Sequence, residues 1–169
     1  MAIAYLSLGS NLGDRLGYVQ QAASIIGSTE NISIVASSSF YETEPWQMDT
    51  KNWFVNAIVQ ISTSLSPEEL LIVCQRIEYQ LGREQSGQRP YTDRTIDIDI
   101  LFYDDKLINT KDLVVPHKFF HKRACMLVPM LEINDDFVHP LFKKTVSQLY
   151  DELETPEQVY LYGTRGADV

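Results

Sequence analysis

The stretch Arg94–Asp105, RTIDIDILFYDD, sets two aspartates two residues apart inside a run of isoleucines. In a β-strand alternate side chains point to opposite faces. One face is then expected to carry Ile96, Ile98, Ile100 and Phe102, and the other Thr95, Asp97, Asp99, Leu101 and Tyr103. The two carboxylates would stand roughly 7 Å apart, at about 3.3 Å per residue. Like charges at that spacing call for water, an arginine or a cation to compensate them. Two readings follow. The pair can be the solvated face of an edge strand, or it can be a divalent metal site. Mg²⁺ takes one or two carboxylates and completes its shell with water and phosphate, and two such ions about 3.5–4 Å apart can clamp both reacting oxygens of a phosphoryl transfer. Arg83 and Arg94 bracket a polar loop just ahead of the strand, and His117, Lys118, Lys122 and Arg123 follow it. A guanidinium fork suits phosphate oxygens, which favours the metal-phosphate reading.

Other candidates stay open. Gly9-Ser10-Asn11 lies between a strand and a helix, where backbone N–H groups can meet an anion, but it lacks the pattern of a P-loop or a dinucleotide turn and equally reads as a plain tight turn. Trp46 sits in a polar loop and needs either a partner or a place in the core. Asn56, on a strand beside Phe54, is either a hydrogen-bonded core amide or a reader of a heterocycle edge while the aromatic ring stacks on its face. Gln75 and Glu78 are three apart on a helix and share a face. No Ser/His/Asp or Cys/His constellation stands out, and a zinc hydrolase is discounted.

The elements that must position these groups are readable in outline. The 169 residues, 44% of them hydrophobic, suit one domain with a real core. A net charge of −9 argues against a nucleic-acid or anionic-membrane surface, although nine of the 14 Lys/Arg residues fall between Arg76 and Arg123, as a small polyanion site would need. Cys74 and Cys125 lie in apolar runs without metal spacing and read as reduced thiols. No secretory signal or membrane span is evident, so a cytoplasmic protein is expected, and a monomer.

Ala2–Leu8 reads as a buried strand. Leu16, Val19, Ala23 and Ile26 mark a helix from about Leu12 that stops at Gly27. Residues 32–41 form a second strand and 53–63 a third, with Phe54, Asn56, Ile58 and Gln60 on one side. Ser66-Pro67-Glu68-Glu69 combines an N-cap serine, proline at the first position and a capping-box glutamate. Leu70, Val73, Cys74, Ile77 and Leu81 continue that helix, and Gly82 ends it. A polar loop spans Glu84–Arg94 and leads into the aspartate strand. Short extended pieces near 106–108 and 113–115, helices near 123–132 and 146–153, and a tail loosely ordered from about 155 complete the chain. The order β-α-β-β-α-β matches a ferredoxin-like α+β fold, an antiparallel sheet with helices packed on its faces.

The segments AYLSLGSNLGD, SSSFYETEP, FVNAIV, LSPEELL, QRIEYQLGR, RTIDIDIL, LVVPH and MLVPMLEI occur in that order over roughly residues 2–135. In this the chain resembles the 6-hydroxymethyl-7,8-dihydropterin pyrophosphokinases of folate synthesis. The resemblance implies a ferredoxin-like fold and transfer of pyrophosphate from ATP to the pterin hydroxymethyl group, releasing AMP. It implies two Mg²⁺ ions on Asp97 and Asp99, an ATP site from Gln75, Glu78, Arg83, Arg94, Ile100, His117 and Arg123, and a catalytic set of Arg83, Arg94 and Asp97. It also implies a pterin site from Gly9, Thr43, Pro45, Trp46, Phe54, Asn56 and Cys125. The chain departs from the family pattern at Tyr91 and Asp93 in the loop, at Asp112 and Val114, at Glu44 before Pro45, and at Cys125, where a second stacking aromatic is common.

Overall fold

The computed structural model describes residues 1–83 and 92–163. Its elements are β1 (Ala2–Ser10), α1 (Arg15–Ser28), β2 (Ile32–Ser37), β3 (Phe40–Thr43), β4 (Phe54–Thr63), α2 (Pro67–Gln80), β5 (Asp97–Tyr103), β6 (Ile108–Asn109), β7 (Val114–Val115), α3 (Ala124–Asn134), α4 (Val146–Asp151) and β8 (Val159–Gly163). A 3₁₀ turn, Phe120–Lys122, precedes α3. The main sheet runs β5-β1-β4-β3-β8, with β2 pairing β4 alongside β3, and its pairs are antiparallel. Counting β2 and β3 as one broken strand gives the expected ferredoxin-like arrangement. Helices α1 and α2 cover one face, where Val19, Ala22, Ile26, Leu70, Cys74 and Ile77 meet Leu6, Leu8, Val59 and Ile61. Helices α3 and α4 cover the other, where Leu127, Met130, Val146 and Leu149 meet Tyr5, Ile58, Leu101 and Phe102. Each Leu or Ile so buried stabilises the fold by about 1.5–3 kcal/mol.

Four details differ from the sequence reading, each for a local reason. Gly27 lies inside α1, which runs on to Ser28; a Cβ there would approach Ile34 Cδ1 to 3.2 Å, so this glycine permits close packing on β2 rather than ending the helix. The strand expected over 32–41 is broken at Ser38, whose N–H donates to Ile58 O and whose Oγ accepts the Ile58 N–H, both at 2.8 Å. The pairing of β1 with β5 shifts register between Tyr5 and Leu6, so that Leu101 is an extra residue. The shift turns Phe102 away from the isoleucine face to join Leu101, while Tyr103 takes the isoleucine side. Finally, the tail is not loose through its whole length: residues 159–163 form β8, which pairs with β3.

Helix α2 follows its sequence signals closely. Ser66 and Glu69 form the reciprocal capping box, with Pro67 in the first turn. At the other end Gly82 takes φ +88°, Gly82 N–H donates to Tyr79 O, and Arg83 N–H donates to Glu78 O, both at 3.0 Å. This is the Schellman pattern, and it folds Arg83 back over its own last turn. Gly82→Ala adds a Cβ that meets nothing within 4 Å, so the cost is that of the left-handed backbone alone. The unfolding free energy from urea titration should fall by about 1–2 kcal/mol; an unchanged value would refute this account of the helix end.

Candidate active site

Strand pairing alone brings the central groups together. Gly9 on β1 lies opposite Asn56 on β4 and opposite Asp97 on β5. Two residues back, Ser7 lies opposite Ile58 and Asp99. With strands about 4.8 Å apart, the amide and the carboxylate flank a position that has no side chain. A Cβ on Gly9 would fall 2.4 Å from Asn56 Oδ1 and 3.5 Å from Phe54 Cδ1. The glycine is therefore required by close approach. Asn56 donates to Thr43 Oγ1, which leaves its carbonyl oxygen on the Gly9 side. Phe54 and Asn56 are each 8% exposed and line a narrow cavity that also reaches Asp97, Asp99, Arg123 and Cys125.

The carboxylate end is a compact ion cluster. Arg83 Nη1 donates to Asp97 Oδ1 at 2.9 Å, and Arg94 Nη1 donates to Asp97 Oδ2 at 3.1 Å. Arg83 Nη1 also donates to Glu78 Oε2, which accepts the Ile98 N–H at 2.9 Å. Burial would raise the Asp97 carboxyl, but Arg94 and Arg83 outweigh it and hold the group below the usual carboxylate range. Glu78 goes the other way, to about 7, because of burial and the neighbouring Asp97 charge. Burial and the Asp97 charge also push Asp99 up, to about 8. His117 Nε2 stands 3.9 Å from Asp99 Oδ2. Its Nδ1 accepts the Phe119 N–H at 3.1 Å, and burial together with Arg123 lowers it to about 4, so the imidazole is neutral at pH 7.

Arg94 is held by the end of β1. Arg94 N–H donates to Asn11 Oδ1 at 2.7 Å, and Asn11 N–H donates to Arg94 O at 3.1 Å. The Asn11 and Asn52 amides then donate to the two oxygens of Asp93 at 2.8 and 2.7 Å. Gly9-Ser10-Asn11 is thus neither a free anion cradle nor a plain turn, since its last residue clamps the segment that carries Arg94. Asp93, a departure from the family pattern, serves that clamp. Tyr91 and most of the expected loop, residues 84–91, lie outside the described residues.

Trp46 has partners. Its ring lies 5.3 Å from Phe119, and the Arg123 guanidinium sits over it at 5.1 Å. Arg123 also hydrogen-bonds the side chain of Cys125, whose thiol burial pushes up to about 11. Not every expected residue joins the cavity. Gln75 is exposed on α2, Pro45 only leads into Trp46, and Ile100 is 4% exposed in the core beneath α1 and α2, so only its backbone can face a ligand. Ser7, Met48 and Met126 line the cavity unforeseen; a small residue and two flexible apolar ones carry no sequence signal for a site. Glu157 also reaches this region, accepting the Cys125 N–H at 3.1 Å, although it lies in the tail expected to be loose.

The donor set fits a hard divalent cation. Asp97 and Asp99 offer only oxygen ligands on one face of a strand, and among the described residues no group of three or more His, Cys, Asp or Glu side chains could hold a metal by itself. Two carboxylates on one strand face are a donor set that a Mg²⁺ could share with water and phosphate oxygens.

The sequence pattern of the 7,8-dihydro-6-hydroxymethylpterin-pyrophosphokinase family matches residues 5–135. The 2-amino-4-hydroxy-6-hydroxymethyldihydropteridine pyrophosphokinase of Aquifex aeolicus is 38% identical over 152 residues, covering 90% of this chain and 92% of that protein. The enzyme of the same name from Methylorubrum extorquens is 44% identical over 138 residues, covering 82% of this chain and 86% of that protein. The fold alone is shared with the crystal structure of Plasmodium falciparum HPPK-DHPS with pteroate, at a TM-score of 0.70 and 18% identity. The alignment covers 89% of this chain and 42% of that longer one. With its fold in agreement and its sequence matched over most of its length, the chain belongs to the 7,8-dihydro-6-hydroxymethylpterin-pyrophosphokinase family.

Proposed function

We propose that this chain transfers the pyrophosphoryl group of ATP to the hydroxymethyl oxygen of 6-hydroxymethyl-7,8-dihydropterin, releasing AMP, with two Mg²⁺ ions on Asp97 and Asp99. The observation that carries this reading is the row Asn56–Gly9–Asp97 across three strands. It sets an amide and a carboxylate–guanidinium cluster on either side of a gap one residue wide. Phe54 would stack on the pterin ring, Asn56 would read its amide edge, and Thr43 would orient Asn56 through their hydrogen bond. Pro45 and Trp46 would form the loop wall, with Cys125 opposite. Mg²⁺ would supply positive charge to the triphosphate and to the oxygens that gain charge during transfer.

The side chains do the rest. Arg83 and Arg94 neutralise Asp97 without ligand, and the same guanidiniums would pass to the phosphate oxygens as Asp97 turns to the cation. In-line displacement forms the bond from the hydroxymethyl oxygen to the β-phosphorus and breaks the one to the α-phosphate oxygen, and the hydroxyl proton leaves with solvent or through Asp97. Charge grows on the phosphate oxygens, where preorganised arginines stabilise it. Neutral His117 can donate through Nε2, and Arg123 adds a cation beside Asp99 and Asp97. Gln75, Glu78 and the backbone at Ile100 would complete the nucleotide side. We read the chain as a single-domain cytoplasmic monomer acting on small molecules. Two free, buried cysteines fit a reducing compartment, and among the described residues no helix is long and apolar enough to cross a membrane.

Incubation with ATP, Mg²⁺ and the reduced pterin should yield AMP and the pterin diphosphate; ADP, or no nucleotide product, would overturn the assignment. Asp97→Asn should lower turnover at least about a hundredfold, measured as AMP release, and near-native turnover would remove Asp97 from the chemistry. Gly9→Ala should displace Asn56 and raise the KM for pterin about tenfold, equivalent to ~1.4 kcal/mol, while the KM for ATP stays the same. A pterin KM that does not move would discount the gap. For pH, the raised Asp99 group holds a proton below about 8, and cation binding must release it. Mg²⁺ affinity with a non-hydrolysable ATP analogue should therefore climb from pH 6 to 8 and level off above. Calorimetry showing a flat or falling profile would contradict ligation by Asp99.

A further inference from the structure

Helix α3 starts on a residue that cannot cap it. Arg123 occupies the N-cap position with φ −115° and ψ 109°, and its side chain makes no capping hydrogen bond to a first-turn backbone N–H. A guanidinium has donors and no acceptor, whereas helix starts favour Ser, Thr, Asp or Asn, whose oxygen accepts a first-turn N–H. Bulk water has little access to this turn, since Ala124 and Cys125 are 2% and 4% exposed. The missing acceptor arrives from 32 residues further along the chain, where Glu157 Oε1 takes the Cys125 N–H at 3.1 Å. The Glu157 carboxylate also attracts Arg123, and a negative group at this end opposes the helix dipole favourably.

The segment that carries Glu157 is itself fixed to the other wall of the site. Glu44 N–H donates to Gln158 O at 2.9 Å, and Gln158 N–H donates to Glu44 Oε2 at 3.0 Å. Val159 then pairs with Thr43. One short stretch thus joins the loop bearing Trp46 to the helix whose N-cap guanidinium lies over the Trp46 ring. It falls outside residues 5–135, the span of the family match.

We propose that Glu157 is a positioning residue of the nucleotide site: it supplies from a distance the cap that Arg123 cannot, and so frees the N-cap position to carry a cation facing Asp97 and Asp99. The inference rests on the reading of Arg123 as a nucleotide-binding cation. Among the described residues, Arg123 Nε and Glu157 Oε2 are both buried without a hydrogen-bond partner. One is a donor and the other an acceptor, in groups that attract each other, so the guanidinium's placement depends on what stands at position 157.

The test compares Glu157→Ala with Glu157→Gln in the full chain, with Trp53→Phe so that Trp46 is the one remaining tryptophan. Binding of a non-hydrolysable Mg-ATP analogue is followed by Trp46 emission, and KM and kcat are measured alongside. Alanine should weaken analogue binding and raise the KM for ATP about tenfold, the scale of one lost cap, and shift Trp46 emission to the red. Glutamine keeps an acceptor for Cys125 N–H and should restore binding to within about twofold of the unsubstituted chain, by the same capping argument. A lowered melting temperature with native analogue affinity and native Trp46 emission would reduce Glu157 to a stability role and overturn the proposal, as would a glutamine variant no better than alanine. If the alanine variant does not fold, Glu157→Ser, polar but too short to reach, replaces it with the same expected and overturning results. The emission titration needs no turnover. A chain that forms no AMP would defeat the transferase reading, while the titration would still decide the part played by Glu157.

Discussion

The site depends on one carboxylate held between two guanidiniums. Asp97 sits on a strand whose opposite face, Ile96, Ile98 and Ile100, is locked in the core. Its two oxygens take Arg83 and Arg94, one each. Removing the carboxylate would leave Arg83 with Glu78 as its carboxylate partner and take from Arg94 the acceptor of its Nη1, and weakening the compensation of a partly buried charge is costly to a fold. The two arginines reach it by unrelated routes. Arg83 is folded back by the Schellman end of α2, and Arg94 is clamped by Asn11 at the end of β1. A helix terminus and a strand terminus thus converge on the same side chain.

This arrangement divides two chemically identical carboxyls. Asp97 has the arginines and stays ionised well below neutrality, whereas Asp99 has burial and the Asp97 charge against it and is drawn upward. Environments that push paired acids apart give them different work. The first is ready as an anion, and the second gains most from an incoming cation. Under the proposed function, a phosphate chain entering with that cation would exchange partners with Asp97 and create no new buried charge, because anion and cation arrive together and Arg94 and Arg123 line the cavity.

What could be read from the sequence was what is encoded over a few residues. The α2 limits follow from Ser66, Pro67, Glu69 and Gly82, each acting on its own turn. The pairing of Asp97 with Asp99 follows from a period of two, and Asn56 beside Phe54 from the same rule on β4. Features that depend on a distant partner left no local trace. Gly27 resembles a stop signal until Ile34 is seen against it. The register shift at Leu101 is set by the β1 partner, and it reverses the faces of Phe102 and Tyr103. Asn11 belongs to the site through Arg94, and Glu157 through the helix start at Arg123. Ile100 is a different case: the family resemblance implies a place beside ATP, and the alternation already given for the strand puts its side chain in the core, which leaves its backbone to face a ligand.

The gap at Gly9 shows why a sheet surface suits this chemistry. Strand spacing is fixed by backbone hydrogen bonds at about 4.8 Å, so the distance from Asn56 to Asp97 across one intervening strand is set by the ladder and not by side-chain rotamers. A helix pair could hold the same two groups, but its spacing of about 8–10 Å varies with the residues at the contact. Here the one adjustable element between the groups is the side chain at position 9, and glycine reduces it to nothing. The loop with Trp46 and the cation at the start of α3 lie around this fixed centre and are joined to each other through residues 157 and 158. Fixed spacing at the centre and side-chain tethering at its rim both follow from which contacts are backbone ladders and which are side-chain hydrogen bonds.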